Sequence, residues 1–232
     1  DIPVLGLNGG EAIRIGTSGE SLSDSYTTVE HNLFEQANGE GEIISVKSGK
    51  NVSSHNTFRE SQGSITLRHG NGSTVEGNFF LQGEVDRSWG IRVNGEDHRI
   101  INNYIEGVRG STTAALSLIE GVVDTPLHGY HQIQNVTIAH NTFVNNARNI
   151  VIGDLYRPNG NQNLPVKDTV LANNVLLGQE GTDQQLIQVL HEPENMTLRN
   201  NVAYQGIQQL EAAEHEVSGM DPMLEMAKDG LY

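Results

Sequence analysis

Seven short segments of the chain alternate apolar and polar residues: "AIRIG", "IISVK", "SITLR", "GIRVN", "ALSLI", "NIVIG" and "LIQVL". Alternation with a period of two marks a strand with one buried face. It sets the inward pairs Ile13/Ile15, Ile44/Val46, Ile65/Leu67, Ile91/Val93, Leu116/Leu118, Ile150/Ile152 and Ile187/Val189. A second phrase recurs as "VEHNLFE", "SSHNTFR", "VEGNFFL", "INNYIEG", "AHNTFVN", "ANNVLLG" and "RNNVAYQ". Its asparagine falls at Asn32, Asn56, Asn78, Asn103, Asn141, Asn174 and Asn201, in steps of 24, 22, 25, 38, 33 and 27 residues. Gly, Asn and Ser lie between the phrases and suit tight corners.

A repeat of this length, built from short strands and polar corners, predicts an all-β, right-handed parallel β-helix, a single-stranded solenoid of about seven coils. Each coil bonds to the one before it, and the repeated asparagine sits inside a corner as a ladder. Helical repeats are excluded by the period of two and by the frequency of Gly and Asn. Leucine-rich repeats are the main rival, but their regular leucine spacing is missing. The longer steps mark insertions at Glu120–Gln132 and Asp154–Thr169, and insertions in a solenoid emerge as loops, often on the binding face. The phrases fade after Asn201. The expected organisation is a β-helix over residues 1–205 and a C-terminal segment, 206–232, covering the last coil.

Composition narrows the partners. A net charge of −15 over 232 residues argues against nucleic acid. There are no cysteines, which removes disulfides, thiolate metal sites and cysteine nucleophiles. No apolar run is long enough to span a membrane. The opening "DIPVLGLNGG" has no signal peptide, although a cleaved one leaves no trace.

Register then gathers charges that are far apart in sequence. Alternation puts Lys47 and Arg68 in one outward column on adjacent coils, about 4.8 Å apart. Like charges opposed on a sheet are destabilising. Either the two side chains splay apart in solvent or they belong to one site. Arg14 and Arg92 fall in the next outward column on flanking coils. Glu40 and Glu42 form the corner that leads into the Lys47 strand, and Asn8 lies at the corresponding corner one coil earlier. Hard oxygens of this kind suit Ca²⁺, and a solvated acidic corner is the plain alternative.

The series Asn8, then "EGEIISVKS", then "LRHG" resembles polysaccharide lyase family six, the alginate lyases and chondroitinase B, over about Asn8 to Asn201. The resemblance implies calcium ligands at Asn8, Glu40 and Glu42, a catalytic base at Lys47 and a catalytic acid at Arg68. It implies substrate contacts at His69 and Arg92, to which Arg14 and Tyr130, in the first insertion, are added as candidates. Trp89, at the start of the Arg92 strand, reads as structural. Members of the family usually carry more coils and a cap before this asparagine, so the first coil is expected to present an edge open to self-association or to a missing N-terminal segment.

The implied activity is calcium-assisted β-elimination of a 1,4-linked uronate polymer by a secreted or periplasmic bacterial enzyme. Alginate is preferred to dermatan or chondroitin, because a sulfated polymer calls for more cations than the 14 Lys and Arg present. A poly-mannuronate or mixed-block preference is expected. A glycoside hydrolase needs acids facing each other across a groove, whereas Glu40 and Glu42 are one residue apart. A non-catalytic polyuronate-binding module is the remaining rival.

Overall fold

The structure, a computed structural model, describes residues 9–83, 85–110, 112, 114–182, 184–208, 217–228 and 230–232. Its strands form three parallel sheets of eight, seven and eight strands, each following chain order from coil to coil. The chain visits the three sheets in turn, so the architecture is the parallel β-helix that the repeat predicts. The first sheet contains Ile13–Gly16, Glu42–Lys47, Ser64–His69, Ile91–Val93, Leu116–Ile119, Ile150–Asp154, Gln185–Val189 and Ile207–Gln208.

The inward pairs stack as the alternation requires. One column runs Ile13, Ile44, Ile65, Ile91, Leu116, Ile150, Ile187. The other runs Ile15, Val46, Leu67, Val93, Leu118, Ile152, Val189. The residues between the two ends of these columns are essentially inaccessible to solvent. The third sheet adds Phe34, Phe58 and Phe80, whose near-parallel rings stack at 4.8 and 4.6 Å between centroids. Parallel in-register pairing puts like on like, so each coil buries its apolar side chains against copies of themselves.

Every corner between the second and third sheets follows one rule. A residue with positive φ (His31, His55, Gly77, Asn102, His140, Asn173, Asn200) turns the chain, and the ladder asparagine follows it. His, Asn and Gly are among the residues that best tolerate this left-handed conformation. Each asparagine Nδ2 donates to the Oδ1 of the asparagine on the next coil, at 2.9–3.1 Å from Asn32 to Asn201. The same Oδ1 also accepts the backbone N–H of the preceding asparagine. From Asn56 onward Nδ2 makes a further bond to a strand carbonyl on the coil before. Buried amides must be satisfied in this way or they cost stability.

A second corner, between the first and second sheets, is mixed. The Ser73 N–H donates to His98 Nδ1 at 3.0 Å. With that lone pair occupied, Nε2 carries the hydrogen and donates to the Asn94 carbonyl at 2.8 Å. His98 is fully buried as the neutral ring, and burial holds its pKa down at about 4.

The two insertions pair with each other. Gly121–Val122 and Gln162–Leu164 form a short antiparallel ribbon. At the C-terminal end, Ile207–Gln208 extends the first sheet and Val217–Ser218 extends the third.

Two expectations follow. Asn103→Ala strips acceptors from Asn78 and donors from its own corner, and should cost roughly 2–4 kcal/mol in urea unfolding. Asn32→Ala, at the exposed start of the ladder, should cost far less. For His98, the unfolded chain binds a proton below its ordinary 6.5 that the folded chain refuses down to about 4. Its contribution to stability therefore falls as pH drops through that window, by about 3 kcal/mol at the lower end. The wild-type urea midpoint should show this loss, and His98→Gln should lose less over the same pH range.

Candidate active site

The outward face of the first sheet carries the column Arg14, Ser45, Thr66, Arg92, Ser117, as the alternation requires for Arg14 and Arg92. The neighbouring column is different. The register shifts after Val46, so the cross-strand partner of Lys47 is His69. Arg68 is the extra residue of a β-bulge and is not stacked on Lys47, which corrects the shared column expected from alternation. A bulge re-aims side chains. Here it relieves the direct opposition of two cations and brings His69 to the side of the sheet where Lys47 and Arg68 lie.

His69 is buried, and its ring bonds to the backbone of Gly129 in the first insertion. Burial lowers its pKa to about 4, helped by the charges of Arg68, Lys47 and His131. The imidazole is therefore neutral near pH 7, and its Nδ1 has no hydrogen-bond partner among the described residues.

The insertion also delivers Tyr130. Its carbonyl accepts the Val122 N–H at 2.9 Å, and the Leu127 carbonyl accepts the Ser21 hydroxyl at 2.6 Å. The loop thus reaches from the coil of Leu116–Ile119 back to the first coil, over the intervening ones. Beneath it, Arg68 Nη1 and Arg92 Nη2 donate to Tyr130 Oη at 3.0 and 3.1 Å. The same guanidiniums lie 4.8 and 5.4 Å from the centre of the ring, within cation–π range. Burial alone would raise the phenol's pKa, but the charges of Arg92 and Arg68 outweigh it and bring it below the ordinary value.

At the first coil, Glu11 binds Arg14 through Nε and Nη2 at 2.9 and 2.6 Å. The same carboxylate oxygen lies 3.9 Å from Lys47 Nζ, beyond hydrogen-bond reach. Burial opposes ionisation of Glu11, but its backbone bond and the two cations prevail and lower its pKa. Glu11 was not legible as a site residue, because one acid ahead of a strand carries no pattern.

The acidic corner is built close. Glu40 Oε2 accepts the N–H groups of Gly9 and Gly10 at 2.8 and 3.1 Å. Glu42 Oε2 accepts the Ser45 hydroxyl. Gly41 separates them because the Trp89 ring lies where a Cβ would sit, which gives Trp89 a definite packing role. Asn8 lies outside the described residues. Among those described, no three His, Cys, Asp or Glu side chains converge on a metal position. Two oriented carboxylates still fit a hard cation, provided that the other donors are amide or backbone oxygens or water.

Further along the stack is a cluster the sequence did not signal. The carboxylate of Glu120 is fully buried, 2.5 Å from His191 Nδ1, and Tyr156 stacks on that imidazole at 4.1 Å. Burial raises the pKa of Glu120 against the opposing pull of His191.

The parallel β-helix thus carries arginines, a lysine and an imidazole along one edge of its first sheet, beside an acidic corner. The model of the family described as Chondroitinase B matches residues 2–230, and the chain belongs to that family, polysaccharide lyase family six. Among solved structures, the alginate lyase AlyGC is 37% identical with a TM-score of 0.88, over 97% of this chain and 30% of its own. A mannuronic acid specific family 6 lyase from human gut microbiota is 30% identical with a TM-score of 0.76, over 93% of this chain and 49% of its own. The alginate lyase AlyF-OU02, in complex with G6, is 28% identical with a TM-score of 0.77, over 95% and 50%. No curated protein matches. The chain therefore spans a third to a half of the length of these relatives.

Proposed function

We propose that this chain forms the catalytic groove of a lyase that cleaves a 1,4-linked uronate polymer, alginate in preference to a galactosaminoglycan, by β-elimination. The observation that carries the reading is the bulge that gathers Lys47, Arg68 and His69 at the end of one sheet. The names of the solved relatives support alginate.

In this reading Lys47, in its neutral form, takes the proton from C5 of the uronate. The electron pair left behind forms the C4–C5 double bond, and the C4–O4 bond breaks. Arg68 serves the departing oxygen, the position of the acid. A guanidinium scarcely releases a proton, so its contribution is positive charge fixed where negative charge develops. Arg92, and Arg14 on the other flank, pair with carboxylates of neighbouring sugars through their planar forks. His69 and Tyr130 contact the sugar from the floor and the loop. Asn8, Glu40 and Glu42 would hold Ca²⁺, which when bound neutralises the substrate carboxylate and makes the C5 proton more acidic.

A groove of this kind acts on polymer outside the cytoplasm, which favours a secreted or periplasmic site of action, and no described helix is long and apolar enough to cross a membrane. Among the described residues Ile13–Gly16 is the terminal strand of the first sheet, and a second copy or a further segment of chain would extend the sheet there.

Lys47→Ala should lower the rate of unsaturated product formation from alginate by 10²-fold or more, with the urea midpoint retained. Undiminished activity removes Lys47 as the base. Parallel assays on polymannuronate, polyguluronate and dermatan sulfate identify the polymer. Binding of any of them without product makes the chain a binding module.

The metal has its own readout. The only tryptophan of the chain, Trp89, packs over Gly41 between the two glutamates. Calcium titration should change its fluorescence in a saturable way, and Glu40→Gln should weaken that response. A response that is absent, or unaltered by the substitution, removes the calcium role.

A further inference from the structure

The buried carboxylate of Glu120 takes no part in the proposed elimination, and a carboxylate held this far from water calls for a reason. The geometry points to Glu120 and His191 as a latch that positions the first insertion, and Tyr130 with it, over the first sheet. The effect on turnover rests on the lyase reading, and the latch itself does not.

Three coils meet at this pair. Glu120 follows the strand Leu116–Ile119 and opens the first insertion. His191 follows Gln185–Val189, two coils further on, and Ile150–Asp154 lies between them. The Glu120 side chain crosses that middle coil because Gly153 leaves it room. A Cβ on Gly153 would stand 3.1 Å from Glu120 Oε2 and 2.8 and 2.9 Å from N and Cβ of His191. Beyond the glycine, Glu120 Oε1 meets His191 Nδ1 at 2.5 Å. Tyr156, from the second insertion, stacks on the imidazole with the ring planes 13° apart. Both insertions and the coil beyond them are therefore joined at one ion pair.

The backbone of Glu120 carries the constraint into the loop. Its N–H donates to the Asp154 carbonyl at 2.8 Å, and its carbonyl accepts Gln162 Nε2 at 3.2 Å. Two residues on, the Val122 N–H donates to the Tyr130 carbonyl at 2.9 Å. At the far end of the insertion, Gln132 Nε2 donates to the Pro165 carbonyl at 2.9 Å. A shift at Glu120 is thus passed through one hydrogen bond to the residue whose hydroxyl accepts from Arg68 and Arg92.

Burial is what makes the pair a latch. Glu120 is inaccessible to solvent, and its Oε2 has no hydrogen-bond partner among the described residues. His191 therefore supplies the one described side-chain partner of the carboxylate. Any displacement that parts the two leaves a buried carboxylate unpaired, which is costly. An exposed pair would exchange its partner for water at little cost and would hold nothing. Glu120 and His191 are accordingly positioning residues that act through Tyr130.

His191 is partly exposed, so it can be replaced with little risk to the fold. His191→Phe keeps a ring against Tyr156 and removes the partner of the carboxylate. Amide hydrogen exchange on the full chain should then show Val122 and its neighbours in the first insertion exchanging about tenfold faster or more. Amides of Ser64–His69 and Ile91–Val93 should keep the wild-type rate. His191→Asn places a side-chain N–H near the position of Nδ1 but gives up the stack on Tyr156, and it should restore most of the protection. Glu120→Ala should match His191→Phe. On alginate, His191→Phe should raise KM about 5- to 30-fold with kcat little changed, and His191→Asn should bring KM back.

Wild-type exchange in the insertion of His191→Phe would overturn the latch. So would faster exchange spread evenly over the stack, or a His191→Asn variant as loose as His191→Phe. A loosened insertion with KM unchanged would overturn the action on substrate. Absence of turnover by the wild-type chain overturns the lyase reading instead, and the exchange rates still decide the latch.

Discussion

Everything in this molecule depends on coils being held in register one strand spacing apart. Parallel pairing alone leaves register to the side chains, and the asparagine ladder fixes it at the corner. Each side-chain amide binds the coils on both sides of it, so a slip by one residue would break bonds along the whole corner. The cost of burying that amide is offset only in one alignment. The apolar columns, the phenylalanine stack and the outward rows of charge all inherit that alignment.

The fixed register is what lets residues far apart in sequence act together. Arg92 and Tyr130 are 38 residues apart and share a hydrogen bond. Arg68 and Tyr130 are 62 apart and share another. The sheet supplies the rigid floor and the insertion supplies the group that comes down on it. This division suits the proposed groove, because a floor held by register does not yield when a ligand is laid across it.

Much of this was legible in the chain itself. The inward columns and the asparagine corner could be read because each repeats its signature on every coil. The neighbours of Arg14 and Arg92 followed from the same alternation. The bulge at Arg68 could not be read, because one extra residue at the end of a strand leaves the apolar pattern before it intact. Tyr130 could be picked out as a loop tyrosine but not as the partner of two arginines, since its position depends on how the insertion folds back. Glu11, and Glu120 with His191, gave no signal, because their partners are set by the path of turns and not by a repeat. The need for glycine in "EGE" carried no signal either, because it comes from Trp89, whose ring lies where a side chain at Gly41 would sit.

The Ser21–Leu127 contact has a consequence for how the stack comes apart. In a linear array each unit touches only its neighbours, and such arrays lose structure progressively from their ends. A strap from the coil of Leu116–Ile119 to the first coil adds a contact between units that are not adjacent. The first coil then cannot peel away without also breaking a bond to the fifth. The coils that carry the lysine and the arginines are enclosed between those two anchor points. Those coils are thus tied to one another through the strap as well as from neighbour to neighbour.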